Sequence, residues 1–397
     1  MLDGAPGQPH QTPVCMVRHN YYPNGHIHRN ARALARSGYD VSVIVLRRAG
    51  EPAHEYTDGV SIYRLPLSHR RAGFGRYVGE YLAFILMAFG TVTRLHMRKR
   101  FRVVQVDNMP DVLVFSALVP KLSGARVILY IADNMPELMV DTRRLSPAHP
   151  VVRLLCRLQR ISADFADHVL VPNVPTGRVV QARGVPNTKI TPVLNCPDDA
   201  LFTRLAPRTW DPRSGSLRIV THGTLAEHYG IQVLIEALPG IARLVPGVHV
   251  DIFGDGEYRP ALEALTAHRG VAGRVRFHGA VPQTAIPAYL AQADIAYTGL
   301  LCDLFLANKT LEYLALGLPL AISRWPAHEE YLPESCVAYF RPGDVADLTR
   351  AILDLYHDPR EAQRKADSAA DLFDRKYRWS IQQQAYLKVV AAARRNA

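Results

Sequence analysis

The sequence predicts an α/β protein of two domains, and three observations lead there. Its 397 residues, 48% of them hydrophobic, can bury two ordinary cores, because single domains usually run to about 100–200 residues. From Pro13 to Leu46 the chain reads strand, loop, Ala-rich amphipathic helix, Gly turn and strand, the start of an α/β unit. From Asn308 to Ser323, NKTLEYLALGLPLAIS reads as a short helix feeding a buried strand. Leu311, Leu314, Ala315 and Leu318 recur at helical spacing, Asn308 can cap the start, and Gly317 and Pro319 end the helix.

The remaining elements follow in order. Residues 1–12, polar and rich in Pro and Gly, are expected to form a disordered tail without the charged and apolar regions of a signal peptide. Residues 13–205 form the first domain, 206–216 a linker and 217–375 the second domain, with a terminal helix over 376–397 crossing back to the first. Between His69 and Arg102 an apolar run, Tyr81 to Val92, is flanked by Arg70, Arg71, Arg76, Arg94, Arg98, Lys99, Arg100 and Arg102. It is too short for a bilayer, which needs about 20 residues. A helix buried on the sheet and a helix lying in a membrane interface both fit it.

Composition narrows the classes. Cys15, Cys156, Cys196, Cys302 and Cys336 are odd in number and scattered, which predicts a reducing, cytoplasmic setting and no structural metal. The first 200 residues carry 25 Lys and Arg against 15 Asp and Glu, and the rest carry 22 against 21. That surplus suits an anionic acceptor or the inner face of a membrane; no nucleic-acid-binding motif accompanies it.

The candidate site begins with Lys309 and Glu312, one turn apart at a helix start whose unpaired amides and dipole favour a diphosphate. A carboxylate there can accept both hydroxyls of a ribose. A surface ion pair explains the same two residues.

NKTLEYLALGLPLAIS resembles the donor-binding motif of family 4 retaining glycosyltransferases, which have the GT-B fold of two Rossmann-like domains facing across a central cleft. Glu312 matches the ribose-holding Glu of that motif, while the sugar-binding Glu falls at Leu304, which leaves sugar recognition to backbone around Phe305, Leu306, Ala307 and Asn308. The resemblance runs over residues 13 to 390. VILYIADNMPEL matches a strand followed by H-D-x-x-P-E, with Asp133 and Glu137 in place and Ala132 at the His position. Asp133 and Glu137 either meet sugar or acceptor or cap the next helix. HGTLAEHYG matches G-R-L-x-x-x-K-G with Gly223 kept, but Thr224 and Tyr229 replace the two cations of the diphosphate clamp, so Lys309, Arg324 or Arg29 is expected to supply charge. Gly254 falls in the G-D-G turn, and His278 lies where relatives contact the base.

The family implies transfer of a sugar from a nucleotide-diphosphate donor, UDP- or GDP-linked, with retention and without a metal or other cofactor. The acceptor would be a polysaccharide or lipid-linked precursor or a small natural product. On that basis Asp133, Lys309 and Glu312 are the expected catalytic residues. Gly223, Thr224, Gly254, His278, Leu306, Ala307, Asn308, Lys309 and Glu312 are expected to bind the donor, and Gly25, His26, His28, Arg29 and Glu137 the acceptor. The substitutions at Ala132, Thr224, Tyr229 and Leu304 also suit a weakly active or inactive nucleotide-binding protein, and the fold also serves sugar-nucleotide epimerases.

Overall fold

The computed structural model describes residues 11–23, 25–67, 74–207, 210–303 and 306–395. The expected tail up to residue 10, Arg70, Arg71, Leu304 and Phe305 lie outside them. The chain divides into residues 1–195 with 383–397, and residues 196–382.

In the first unit the strands are β1 (Thr12–Arg18), β2 (Tyr39–Leu46), β3 (His54–Thr57), β4 (Val60–Leu65), β5 (Val103–Asp107), β6 (Arg126–Tyr130), β7 (His168–Val171) and β8 (Ile190–Pro192). Among the described residues they form one sheet in the order β3-β4-β2-β1-β5-β6-β7-β8. Only the β3–β4 hairpin is antiparallel. A parallel sheet is covered on both faces, which is why β1 and β2 are almost continuously apolar. The chain runs outward from β1 and returns to β5 on its other side, so the strand order reverses between Arg18 and Asp107, which stand in register.

The helix Phe74–Lys99 covers this sheet with Phe84, Ala88, Val92 and Leu95, which are buried with Val17 and Val106. Burying Phe84 alone is worth about 2–3 kcal/mol. The opposite side of this helix is exposed, so it is not wholly buried. Among the described residues no helix is long and apolar enough to cross a membrane.

The second unit has β9 (Ser216–His222), β10 (Gly247–Phe253), β11 (Val275–Gly279), β12 (Ile295–Thr298), β13 (Leu320–Ser323) and β14 (Ala338–Phe340). Their order is β11-β10-β9-β12-β13-β14, parallel throughout. That is the doubly wound arrangement, with its reversal between β9 and β12. Ligands in such sheets bind beyond the carboxyl ends of the strands at that reversal.

The division falls at Asn195, ahead of the linker expected over 206–216. Residues 196–205 are tied to the second unit, because Leu205 N–H donates to Leu316 O and Arg204 pairs with Asp367 and Asp371. The expected linker also packs there: Trp210 Nε1 donates to Tyr356 O, and Tyr356 donates to Pro212 O. At the other end, Asp199 accepts from the Trp379 and Ser380 amides that open helix Trp379–Arg395. Further along that helix, Tyr386 is buried in the first unit and donates to Gln105 Oε1 at 2.7 Å.

Candidate active site

Helix Asn308–Leu316 starts one residue differently from the sequence expectation. Ala307 is the N-cap and Asn308 the first helical residue, with Thr310 N–H bonded to Ala307 O. Leu306 and Ala307 are buried and Asn308 is exposed, so the amides of Asn308 and Lys309 open the helix with no acceptor four residues back inside it. Gly317, at φ 70°, closes it.

Every side chain from Lys309 to Leu316 is buried, because the helix is enclosed by β12 and the helix Pro359–Leu372. The surface-ion-pair alternative therefore fails. Lys309 is 6% exposed and Glu312 9%, and their polar ends go to different partners. Lys309 Nζ donates to Thr221 Oγ1 at 3.3 Å and lies 4.9 Å from the ring centre of Tyr229. Burial lowers its pKa to about 8, with Glu312 opposing the shift. Tyr229 is one of the two residues expected where the resembled motif carries a cation, and the ammonium of Lys309 stands over its ring.

Glu312 is held by His222, the last residue of β9. His222 Nε2 lies 2.5 Å from Glu312 Oε2, and Nδ1 lies 2.9 Å from the Tyr313 hydroxyl. Since a carboxylate only accepts, Nε2 carries the proton of that bond, and Nδ1 faces the Tyr313 hydroxyl. The Tyr313 oxygen in turn accepts from His222 N–H at 3.1 Å. Glu312 Oε1 makes no hydrogen bond among the described residues. His222 is not among the expected site residues, because a histidine before a Gly-rich loop reads as an ordinary loop residue; its place at the end of the strand before G-T was the available signal.

Other expected donor residues are used internally. The Gly223 amide donates to Phe253 O and the Gly254 amide to Gly279 O, so neither is available to a phosphate. A Cβ on Gly254 would stand 1.9 Å from Gly223 O, which makes Gly254 a packing requirement. Thr224 is exposed beside them. His278 is half-buried, stacked on Phe253 at 4.2 Å and bonded through Nε2 to Asp251 at 2.6 Å. Arg324 pairs with Glu329 and Glu334 and so is committed elsewhere.

In the first domain, Gly25 opens helix Gly25–Arg36, and His26 turns inward. His26 Nε2 donates to Asp107 Oδ2 at 2.8 Å, with Arg18 Nη1 3.2 Å from Nδ1. Burial and then Arg18 lower its pKa to about 4 despite Asp107, so the imidazole is neutral at pH 7. Asp107 Oδ1 accepts from Gln105 at 2.7 Å, and Gln105 accepts from Tyr386, which completes a buried chain of hydrogen bonds. His26 is therefore enclosed and not presented to an acceptor. His28 is half-buried, edge-on to Tyr22, and Arg29 donates to Asn195 Oδ1 at 2.9 Å.

Neither Asp133 nor Glu137 caps helix Met135–Arg143, whose N-cap, Asn134, makes no side-chain cap bond. Glu137 pairs with Arg183, which also bonds Gln159. Asp133 is exposed, and its loop is held by Asn108: Oδ1 accepts from Ala132 N–H at 2.8 Å and Nδ2 donates to Asp133 O at 2.7 Å. Burial raises the neighbouring Asp111 to a pKa of about 6. Asn108 and Asp111 belong to D-N-M-P-D, residues 107–111, which repeats as D-N-M-P-E at 133–137 after the next strand. That repeat was a readable signal for Asn108 and Asp111, which the sequence expectations omit.

Residues 216–358 match the family model described as "Glycosyl transferases group 1", and residues 23–196 match "Glycosyl transferase 4-like domain". The chain belongs to the group 1 glycosyltransferases. Among similar proteins is a phosphatidylinositol N-acetylglucosaminyltransferase component of Arabidopsis thaliana, 24% identical over 360 residues that cover 87% of this chain and 74% of the relative. Glycogen synthase of Mycobacterium tuberculosis is 26% identical over 419 residues, covering 96% and 95%. Sucrose-phosphate synthase from Thermosynechococcus elongatus shares the fold, with a TM-score of 0.79 at 16% identity over 96% of this chain and 100% of that one. Two parallel-sheet α/β domains of the GT-B kind are thus the architecture of this glycosyltransferase.

Proposed function

We propose that this glycosyltransferase takes a sugar from a UDP- or GDP-linked donor and passes it to an acceptor hydroxyl with retention and without a metal. The observation that carries the proposal is the buried Lys309 beside the Glu312–His222 pair, at the strand-order reversal of the second domain. Burial raises the free energy of an uncompensated ammonium, and an arriving diphosphate removes that penalty. The amides of Asn308 and Lys309 add donors at the positive end of the helix dipole.

In this scheme Glu312 Oε1 holds a ribose hydroxyl while His222 fixes the carboxylate's orientation. Thr224 donates to the phosphates, and Lys309 stabilises the charge that develops on the leaving diphosphate. As the C–O bond to phosphate breaks, the sugar gains oxocarbenium character and the acceptor hydroxyl attacks the same face, its proton passing to a phosphate oxygen. Asp133, exposed at the carboxyl end of β6, orients the acceptor. Relatives named for a phosphatidylinositol and for glycogen support a lipid-linked or polysaccharide acceptor.

The test is turnover of a panel of UDP- and GDP-sugars, with the anomeric configuration of the product read by NMR. Retention in the product and a raised donor KM for Glu312→Ala are expected. Inverted product, or donor bound tightly but never turned over, would remove the proposal, the latter in favour of a nucleotide-binding role.

A further inference from the structure

Helix Phe74–Lys99 is apolar on the side away from the sheet as well as on its packed side. Leu82, Leu86, Phe89 and Met97 fall on one outer stripe at helical spacing and are 57%, 71%, 36% and 73% exposed. The short helix Leu118–Leu122 packs against it and adds Leu118 and Leu122, also exposed. Contiguous apolar surface of this kind marks an interaction face.

Along this stretch of the chain the charges are of one sign. No Asp or Glu occurs from Tyr81 to Val106, while Arg94, Arg98, Lys99, Arg100 and Arg102 do. Lys99 is occupied by Asp40, and Arg94, Arg98 and Arg100 are exposed. Where the helix ends, a pocket of about 330 Å³ is lined by His96, Met97, Arg100, Arg102, Ser123 and Gly124. An apolar stripe therefore runs into a cationic recess through Met97, which belongs to both.

We propose that this face docks the first domain on an anionic phospholipid surface. Leu82, Leu86, Phe89 and Met97 enter the boundary between headgroups and acyl chains, Arg94 and Arg98 meet lipid phosphates, and the recess takes a headgroup phosphate against Arg100. Charge complementarity selects this occupant: a second copy would bring the same cations against themselves. The inference does not depend on the sugar-transfer chemistry.

The experiment is co-sedimentation of the full chain with vesicles of phosphatidylcholine alone, or of phosphatidylcholine with phosphatidylglycerol, over a series of salt concentrations. Binding to the anionic vesicles, weakening with salt, is expected, with little binding to the neutral ones. Leu82→Gln with Leu86→Gln should lower partitioning by about tenfold or more, and Arg94→Gln with Arg98→Gln by roughly fivefold per arginine. All four side chains are exposed, so thermal melting should be unchanged. Wild-type protein that stays off anionic vesicles, or variants that partition as wild type does, would overturn the proposal. So would a vesicle-free dimer that dissociates on Leu82→Gln with Leu86→Gln, which would give the face to self-association.

Discussion

His26 with Asp107 in the first domain and His222 with Glu312 in the second occupy the same topological position, the point where each sheet reverses its strand order. They differ in what is left over. Asp107 is fully buried and accepts on both oxygens, from His26 and from Gln105. Glu312 keeps one oxygen without a partner among the described residues and has the buried cation of Lys309 beside it. The comparison teaches that a histidine–carboxylate pair at a strand-order reversal is not a site in itself. Unused bonding capacity distinguishes a support from a receptor.

The largest effect should come from breaking the receptor. Lys309→Met is expected to lower kcat/KM for the donor by about 10²- to 10³-fold, the range seen when one buried charge-stabilising donor is lost, with the melting temperature little changed. Equal kcat/KM in the variant would return Lys309 to a packing role. The same lysine predicts a pH dependence. With a pKa near 8, the ammonium is present below that value and lost above it, so kcat/KM should fall as pH rises through about 8. A bound diphosphate favours the charged form, so the fall in kcat should lie at higher pH.

The support should answer in stability instead. Asp107→Ala leaves the buried His26 and Gln105 donors without their acceptor and is expected to lower unfolding free energy by about 3 kcal/mol, while UDP or GDP binding, measured calorimetrically on folded protein, stays as in wild type. His26 sharpens the contrast through acid. Its pKa is about 4 folded and near 6.5 unfolded, so the unfolded chain binds more protons between those values. Stability is complete above about 6.5 and declines as pH falls towards 4, and His26→Gln should flatten that decline in a urea-midpoint series. The smallest effect belongs to Tyr386→Phe, which removes the bond to Gln105 and should cost about 1 kcal/mol without altering donor KM.

Much of the fold was legible because periodicity is local. The alternation of β1, helix Gly25–Arg36 and β2 and the Gly317–Pro319 exit are written in neighbouring residues. Lys309 and Glu312 were legible as a pair but not as a buried one. Their exposure depends on β12 and the helix Pro359–Leu372 closing over them, and no spacing rule states that. Asn108 and His222 were missed for a related reason: each is bonded to residues distant in the chain.

Strand and helix periods, the glycine turns and the uneven charge of the two halves were determined by sequence alone, since each rests on residues within a turn or two of one another. Tertiary structure alone decided which carboxylate was satisfied and which was left open, that Gly223 and Gly254 spend their amides on β10 and β11, and that Lys309 loses its water. Hydrogen-bond saturation and desolvation depend on what the rest of the chain packs around a group, and therefore cannot be read from the group's neighbours in sequence.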